Sequence, residues 1–507
     1  MELRFHFCGL VALLGFSIPG NGQPPVNQPD SSGRAIQLPL SGRTSQDAGV
    51  VTTQEPVPGT STSVNTTNSS VRVTGPYSGS RLSVTPSLEP MQLSLSQALR
   101  LGIEYNLGAV GSGNATRLAL GQQRVTRSAL LPNIDGSLFA TVQQLSLASF
   151  GLMLPGVPTV VGPFNYFDAR ASLSQTIADL TALHNNRAAR EGVRAAEFSA
   201  SDARDLVALA VSGTYLQVVA AAARIDSARA QVASAEAVYQ QAVDRHRVGL
   251  NARIDVTRTQ VELQTQRQRL TTIETDWAKR KIALTRLVGL SAGQEIELID
   301  NPPFTPLAKS SVDEVLTDAY RNRADLKAAE AQVSAAEQAR NAARAERLPS
   351  LHLDANYGAI GVNPSRSSGT MAVAGSIRFP IWEGGRIAGE VLQADAALSQ
   401  RRAEHEDLRG RVDADVRNAF LDLRAAADQV RVAESNVALA QDTLRQARDR
   451  FGAGVSDTVE VVQAQETLAT AELDYISSLY AHNLGKVTLA RAVGRTQERI
   501  QEFLSLR

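Results

Sequence analysis

The chain has 507 residues, enough for two or three ordinary domains with an ample core, yet only 5% of them are aromatic. Ala, Arg, Gln and Glu crowd long stretches instead, which is the composition of long helices meeting along small-residue seams. Lys plus Arg and Asp plus Glu both count 51, so the charge balance gives no reason to expect a nucleic-acid partner.

The opening segment, MELRFHFCGLVALLGFSIPGNGQ, places Arg4 before an apolar run from Phe7 to Ile18 and closes on small residues. Residues 1–22 therefore read as a secretory signal peptide cleaved near Gly22, because the run is too short to cross a bilayer. Cys8, the one cysteine, falls inside it, so the mature chain would hold no thiol, disulfide or cysteine nucleophile. It also lies too early to be a lipidated first residue. Residues 23–90 carry nine of the 20 prolines, many Ser, Thr and Gly, and one aromatic, Tyr77. They are expected to form a disordered leader, since little apolar surface is available to offset the ordering entropy.

The rest is written twice, as repeats at 91–305 and 306–507. SLSQTI (172–177) aligns with SIRFPI (376–381), DRHRVGLNARIDVTRTQ (244–260) with DRFGAGVSDTVEVVQAQ (449–465), and KIALTRLVG (281–289) with KVTLARAVG (486–494), at shifts of 204 to 205. LLPNIDGSL (130–138) matches RLPSLHLDA (347–355) at a shift of 217, so the first repeat holds an insertion of about a dozen residues.

Four segments alternate with period two and predict strands near 133–145, 167–177, 351–361 and 371–381. One face carries Ile134, Leu138, Ala140, Val142, Phe167, Leu173, Leu351, Tyr357, Met371 and Ile377; the other carries Asp135, Ser137, Asp168, Arg170, Asp354 and Arg378, with Phe139 as the exception. Strands of about ten residues with one apolar and one polar face suit a membrane β-barrel, where a charge against midplane lipid costs about 2–4 kcal/mol. A soluble sandwich half-buried on one face is the competing reading. Four strands cannot close a barrel and open edges are not tolerated in lipid, so in the barrel reading several chains share one wall.

Each repeat then carries a long heptad. Its a and d positions are Val207, Val211, Thr214, Val218, Ala221, Ile225, Ala228, Val232, Ala235, Tyr239, Ala242 and His246 in the first repeat. Those of the second are Val412, Val416, Ala419, Leu423, Ala426, Val430, Ala433, Val437, Ala440, Leu444, Ala447 and Phe451. A period of 3.5 keeps one seam against a neighbour and imposes a left-handed supercoil. The helix from about Gly385 to Phe451 would be a rod of roughly 100 Å. Taken alone, such a seam also fits a coiled-coil spacer. Gly249 and Gly454 follow where a helix end needs positive φ, and Asn251, or Ser456 and Asp457, could cap a returning helix.

FPIWEGGRIAGEVLQADAAL (379–398), the duplication and the tips VGL and AGV together resemble the TolC-type outer-membrane efflux proteins over about Leu93 to Gly494. The resemblance implies a homotrimer, with four strands per chain in a shared twelve-stranded transmembrane barrel continued by a long α-helical barrel across the periplasm. It implies a passive outer-membrane channel of a tripartite efflux or secretion system, with a periplasmic adaptor (membrane fusion) protein and an inner-membrane transporter as partners. Carried over by position, Val248, Gly249, Leu250, Ala453, Gly454 and Val455 would dock the adaptor, and Gly384 and Gly385 would make the strand-to-helix turn. Glu460 falls at the family's acidic gate position; Gln463 stands at the second one, so the gate carries less charge than the pattern. Asp255 and Arg258 occupy the matching places in the first repeat and could pair. Thr176, opposite Pro380, and the absence of a Gly pair in ADLTALHNN depart from the pattern at the first junction.

The six histidines show no metal-ligand spacing, GAVGSG (108–113) is no dinucleotide fingerprint, and no nucleophile elbow is found, so neither an enzyme nor a cofactor or metal site is expected. A periplasmic adaptor or scaffold would explain the hairpins but leave four amphipathic strands without a role.

Overall fold

A computed structural model describes residues 34–39, 49–57, 66–82, 89–151, 155–156, 158–306, 311–496, 500 and 503–504. The signal-peptide reading of 1–22 lies outside them. In chain order the elements are β1 (Val50–Val57), β2 (Thr66–Val73), β3 (Met91–Leu93), α1 (Leu95–Tyr105), α2 (Leu107–Ser128), β4 (Asn133–Ser146), β5 (Val160–Ala178), α3 (Leu180–Arg247), α4 (Arg253–Val288) and β6 (Ile296–Leu298). The second repeat follows with α5 (Val312–Asn322), α6 (Ala324–Ala345), β7 (Ser350–Gly361), β8 (Ser367–Arg378), α7 (Arg386–Gly452) and α8 (Thr458–Val493).

The duplication is visible in the lengths. α1 and α5 have 11 residues each, α2 and α6 have 22, α4 and α8 have 36, and α3 and α7 have 68 and 67. Both short helices open with a capping box, Ser94 with Gln97 and Ser311 with Glu314. In each repeat a 22-residue helix leads to two strands, the long helix runs back about 100 Å, and a helix about half as long returns along it. α4 and α8 pack on α3 and α7 near the tips, while α2 and α6 flank α3 at the strand end.

The heptad explains why these rods stay together. In α7 eleven of the twelve predicted seam residues are buried, Val437 being half-buried. In α3 eight are buried; Thr214, Val232 and Tyr239 are half-buried, and His246 is exposed. His246 corrects the predicted seam: its Nδ1 lies 2.8 Å from the Asn251 carbonyl oxygen, so it belongs to the turn. Midway along the rods the core gathers Leu93, Leu99, Val207, Val211, Leu284 and Val487 around Tyr215, whose hydroxyl donates to the Leu93 carbonyl at 3.1 Å. Burial pushes that hydroxyl's pKa up to about 12. A parallel pair, β3 with β6, closes this middle layer.

The leader reading requires correction. Part of 23–90 is ordered: β1 and β2 form an antiparallel hairpin with Val50 opposite Val73. It packs on α3 and α8, and Val71 fills the space a Cβ on Gly213 would need, 2.5 Å away. Tyr77 lies over Gly108 in the same way, and the Asn106 side chain, which caps α2, donates to the Tyr77 carbonyl at 2.7 Å. Further upstream, the Ala35 and Ile36 N–H groups donate to Glu346 and Asn185 at 2.5 and 3.0 Å. Contacts to the folded body, rather than the leader's own composition, supply the stabilisation.

Candidate functional site

The positions singled out in the sequence lie at two ends of the molecule. At one end β4, β5, β7 and β8 form an antiparallel sheet in that order. Cross-strand partners preserve the parity read from the sequence: Ile134 faces Leu173, Leu138 faces Ala169, Leu173 faces Ala355, and Ala355 faces Val373. Asp135 faces Ser172 and Ser174 faces Asp354 on the opposite side. A shift of one residue would exchange the faces, so the register itself separates apolar from polar wall. Ile134, Leu138, Val142, Tyr357, Met371, Val373 and Ile377 are all exposed, with no element among the described residues covering them. β5 starts at Val160, seven residues before the predicted strand, and β8 spans Ser367–Arg378, leaving Phe379 to Ile381 outside it.

The two strand-to-helix junctions differ in chemistry. In the second repeat Gly384 and Gly385 have φ of 59° and 87°, and Gly385 is the N-cap residue of α7. A non-glycine residue there would be held in the left-handed region. Arg386 then ties the turn down, its Nη1 lying 2.7 Å from both Glu346 and Glu390 and its other nitrogens meeting Glu383. Glu390, Glu346 and Glu383 hold its pKa above the ordinary arginine value. In the first repeat no Gly pair is needed. β5 shifts register between Thr176 and Ala178, and Asp179 caps α3 by accepting from the Ala182 N–H at 3.0 Å.

At the other end, Gly249 and Gly454 have φ of 79° and 76° and reverse the two hairpins. Around them Val248, Leu250 and Val455 are about two-thirds exposed, and Gly249, Ala453 and Gly454 are exposed too. Asp457 caps α8 through the Val459 and Glu460 N–H groups, at 3.0 and 3.2 Å. Asn251 does not cap α4, contrary to expectation: the N-cap residue is Ala252, with no side-chain bond, and the Asn251 carbonyl meets His246 instead.

The charged positions near the tips are joined. Arg258 Nη1 lies 3.4 Å from Asp255 Oδ1 and 3.3 Å from Thr458 Oγ1, and Thr458 donates to Asp255 at 3.1 Å, so these residues link the first hairpin to the second. Glu460 meets Arg450 Nε at 3.3 Å and accepts from the Ser456 hydroxyl. Gln463 is exposed one turn further on. Sequence reading missed Arg245, whose guanidinium lies 4.7 Å from the centre of the Phe451 ring and donates to the Phe451 carbonyl, clasping the hairpins together. Its alignment with Arg450 at a shift of 205 was the available signal.

A sequence profile of the outer membrane efflux protein family matches residues 114–290 and 315–495, one stretch in each repeat. The chain belongs to the outer membrane efflux protein family. The probable efflux pump outer membrane protein SepC of Pseudomonas putida is 27% identical over 379 residues, 73% of this chain and 77% of that one. Nodulation protein T of Rhizobium leguminosarum bv. trifolii is 23% identical over 53% of this chain, and the chain spans 57% of its length. Among solved structures, the outer membrane protein VceC of Vibrio cholerae superposes with a TM-score of 0.69 at 19% identity, covering 79% of this chain and 96% of that one. The CmeC outer membrane channel of Campylobacter jejuni gives 0.70 at 18% identity, over 81% and 89%. At such identities the likeness establishes the fold. This efflux protein is therefore an outer-membrane protein whose long helices lie in the periplasm.

Proposed function

We propose that three copies of the chain form a passive export duct, with four strands from each in a twelve-stranded barrel and four long helices from each in a periplasmic tunnel. One observation supports it above the rest. The sheet exposes an apolar face while the outer edges of β4 and β8 have no partner strand among the described residues. An open edge is not tolerated in lipid, and a second copy supplies the missing neighbour. β4 and β8 run in opposite directions, so β4 of one copy meets β8 of the next antiparallel and the wall closes without a change of pattern.

In this reading the exposed apolar tips Val248, Leu250 and Val455, with Gly249, Ala453 and Gly454, dock the hairpins of a periplasmic adaptor, and an inner-membrane transporter supplies the energy. Glu460 and Gln463, with Asp255 and Arg258, form the gate. Symmetry-related carboxylates around a narrow axis attract cations and repel one another, and Arg450 beside Glu460 tempers that repulsion. The deciding experiment is a mass measurement and image of the detergent-purified particle, followed by conductance in planar bilayers. A trimer with a through-tunnel and a steady current is expected; a water-soluble monomer overturns the proposal.

A further inference from the structure

The polar face of the sheet changes character along its length. Near the helices it carries Asp135, Ser172, Ser174, Asp354, Ser376 and Arg378. Toward the far end the same face carries Phe139, Phe164, Tyr166 and Ile360. Phe139, the residue that breaks the alternation of its strand, is 47% exposed. Its ring meets Tyr166 edge-on, with centroids 6.0 Å apart and planes at 67°. The Tyr166 hydroxyl donates to Asp168 Oδ2 at 3.3 Å, and Arg170 Nη2 lies 2.7 Å from the same oxygen. Arg170 Nη1 reaches Asn356 Oδ1 at 3.2 Å. Asp168 is only 3% exposed, so the pair of rings stands on a satisfied polar base that fixes Tyr166 in place.

An aromatic face left in water is unfavourable unless something covers it. Barrel diameter grows with strand number, and about eight strands already enclose what side chains alone can fill. In a twelve-stranded wall these rings do not meet across the lumen; they remain open surfaces for a passing molecule. Ring faces carry negative quadrupole density and accept other rings and cations. On the described polar face the carboxylates of Asp135, Asp168 and Asp354 outnumber the guanidiniums of Arg170 and Arg378, three against two, which favours positive over negative cargo. We propose that Phe139 and Tyr166 form a contact site for cationic aromatic molecules near the outer mouth of the duct, an inference that rests on the trimeric-duct reading.

The test uses the purified full-length protein in planar bilayers, with tetraphenylphosphonium or tetrabutylammonium added on the side of the strand loops. Both ions carry one positive charge, and only the first carries rings. Tetraphenylphosphonium is expected to half-block the current at a concentration about fivefold lower than tetrabutylammonium. Phe139→Ala should remove that advantage, raising the half-blocking concentration of tetraphenylphosphonium severalfold and that of tetrabutylammonium much less. Phe139→Leu, which keeps apolar bulk without a ring, should behave like the alanine variant. Equal half-blocking concentrations in the unaltered protein, or a tetraphenylphosphonium block that neither variant shifts, overturns the site. A protein that conducts no current before any cation is added sinks the duct itself and the site with it, so the two failures are distinguished by the initial current.

Discussion

Arg491 gives the sharpest test of how the two repeats hold each other. It lies on α8 and binds Asp202 on α3, Nη2 to Oδ1 at 2.5 Å. Burial opposes its charge, but Asp202, Asp325 and Asp205 outweigh burial and push its pKa above the ordinary arginine value. Burial dominates for Asp202, whose carboxyl is pushed up despite the pull of Arg491. Nearby, Arg323 holds Asp325 through both oxygens, at 3.0 and 2.7 Å, and Asp415 at 2.9 Å. Arg491→Ala removes one charge from a desolvated group and strands Asp202, a loss of about 3–5 kcal/mol. An exposed pair would lose no more than about 1 kcal/mol, so the two cases are well separated. Guanidinium titration of the detergent-purified protein, followed by helical circular dichroism, measures the difference. Replacing both partners, Asp202→Leu with Arg491→Met, should regain most of the loss. The stranded carboxylate destabilises fully above its raised pKa and ceases to do so as pH falls toward 3.8, so the deficit of Arg491→Ala should shrink in acid. A loss within about 1 kcal/mol of zero, or a double variant weaker than Arg491→Ala, refutes the argument.

Gly454 and Gly494 have nearly equal φ, 76° and 77°, but a Cβ on the first meets only the flexible Arg245 Nη2 at 3.4 Å, while on the second it lies 2.8 Å from the Arg323 backbone. Gly454→Ala should therefore cost about 1 kcal/mol and Gly494→Ala clearly more, and equal unfolding midpoints for the two variants would contradict the clash. Lys486 is buried with its Nζ on Thr305 Oγ1 at 3.2 Å, and burial lowers its pKa to about 8. The folded value lies below the unfolded one, so the penalty is complete below pH 8 and fades as pH rises toward 10.5. Lys486→Met should thus stabilise the protein at neutral pH by up to about 3 kcal/mol, with the gain vanishing in alkali; a pH-independent difference counts against it. Glu460→Ala should raise the conductance of the channel in planar bilayers, and an unchanged value removes Glu460 from the gate.

Features with a period were legible in the sequence. The α7 seam from Val412 to Phe451 and the partition of β4, β5, β7 and β8 into two faces both follow from spacing alone. The need for glycine at 249 and 454 was legible where each long heptad ends, whereas Gly384 and Gly385 were singled out by the family resemblance. What escaped was structure held by distant partners. The stretches VVTTQEPV and TTNSSVRV are rich in β-branched residues, but the prolines and serines around them outweighed that signal, and only Gly213 and the mid-rod core show why they order. β5 begins at Val160 and runs through Gly162 and Pro163, residue types that weaken a strand signal. The network of Asp202, Arg323, Asp325 and Arg491 joins residues up to 289 positions apart and leaves no local pattern.

The near equality of α3 and α7, with α4 and α8 alike, makes the chain a gauge that measures one distance twice. Each heptad adds about 10 Å, and the seam admits only whole heptads if its knobs are to keep their holes. A lineage with a wider gap between its two membranes could lengthen this protein only by matched insertions in α3, α7 and the shorter helices that lie beside them at that level. A change in one alone would put the two hairpin tips, at Gly249 and Gly454, out of level with each other.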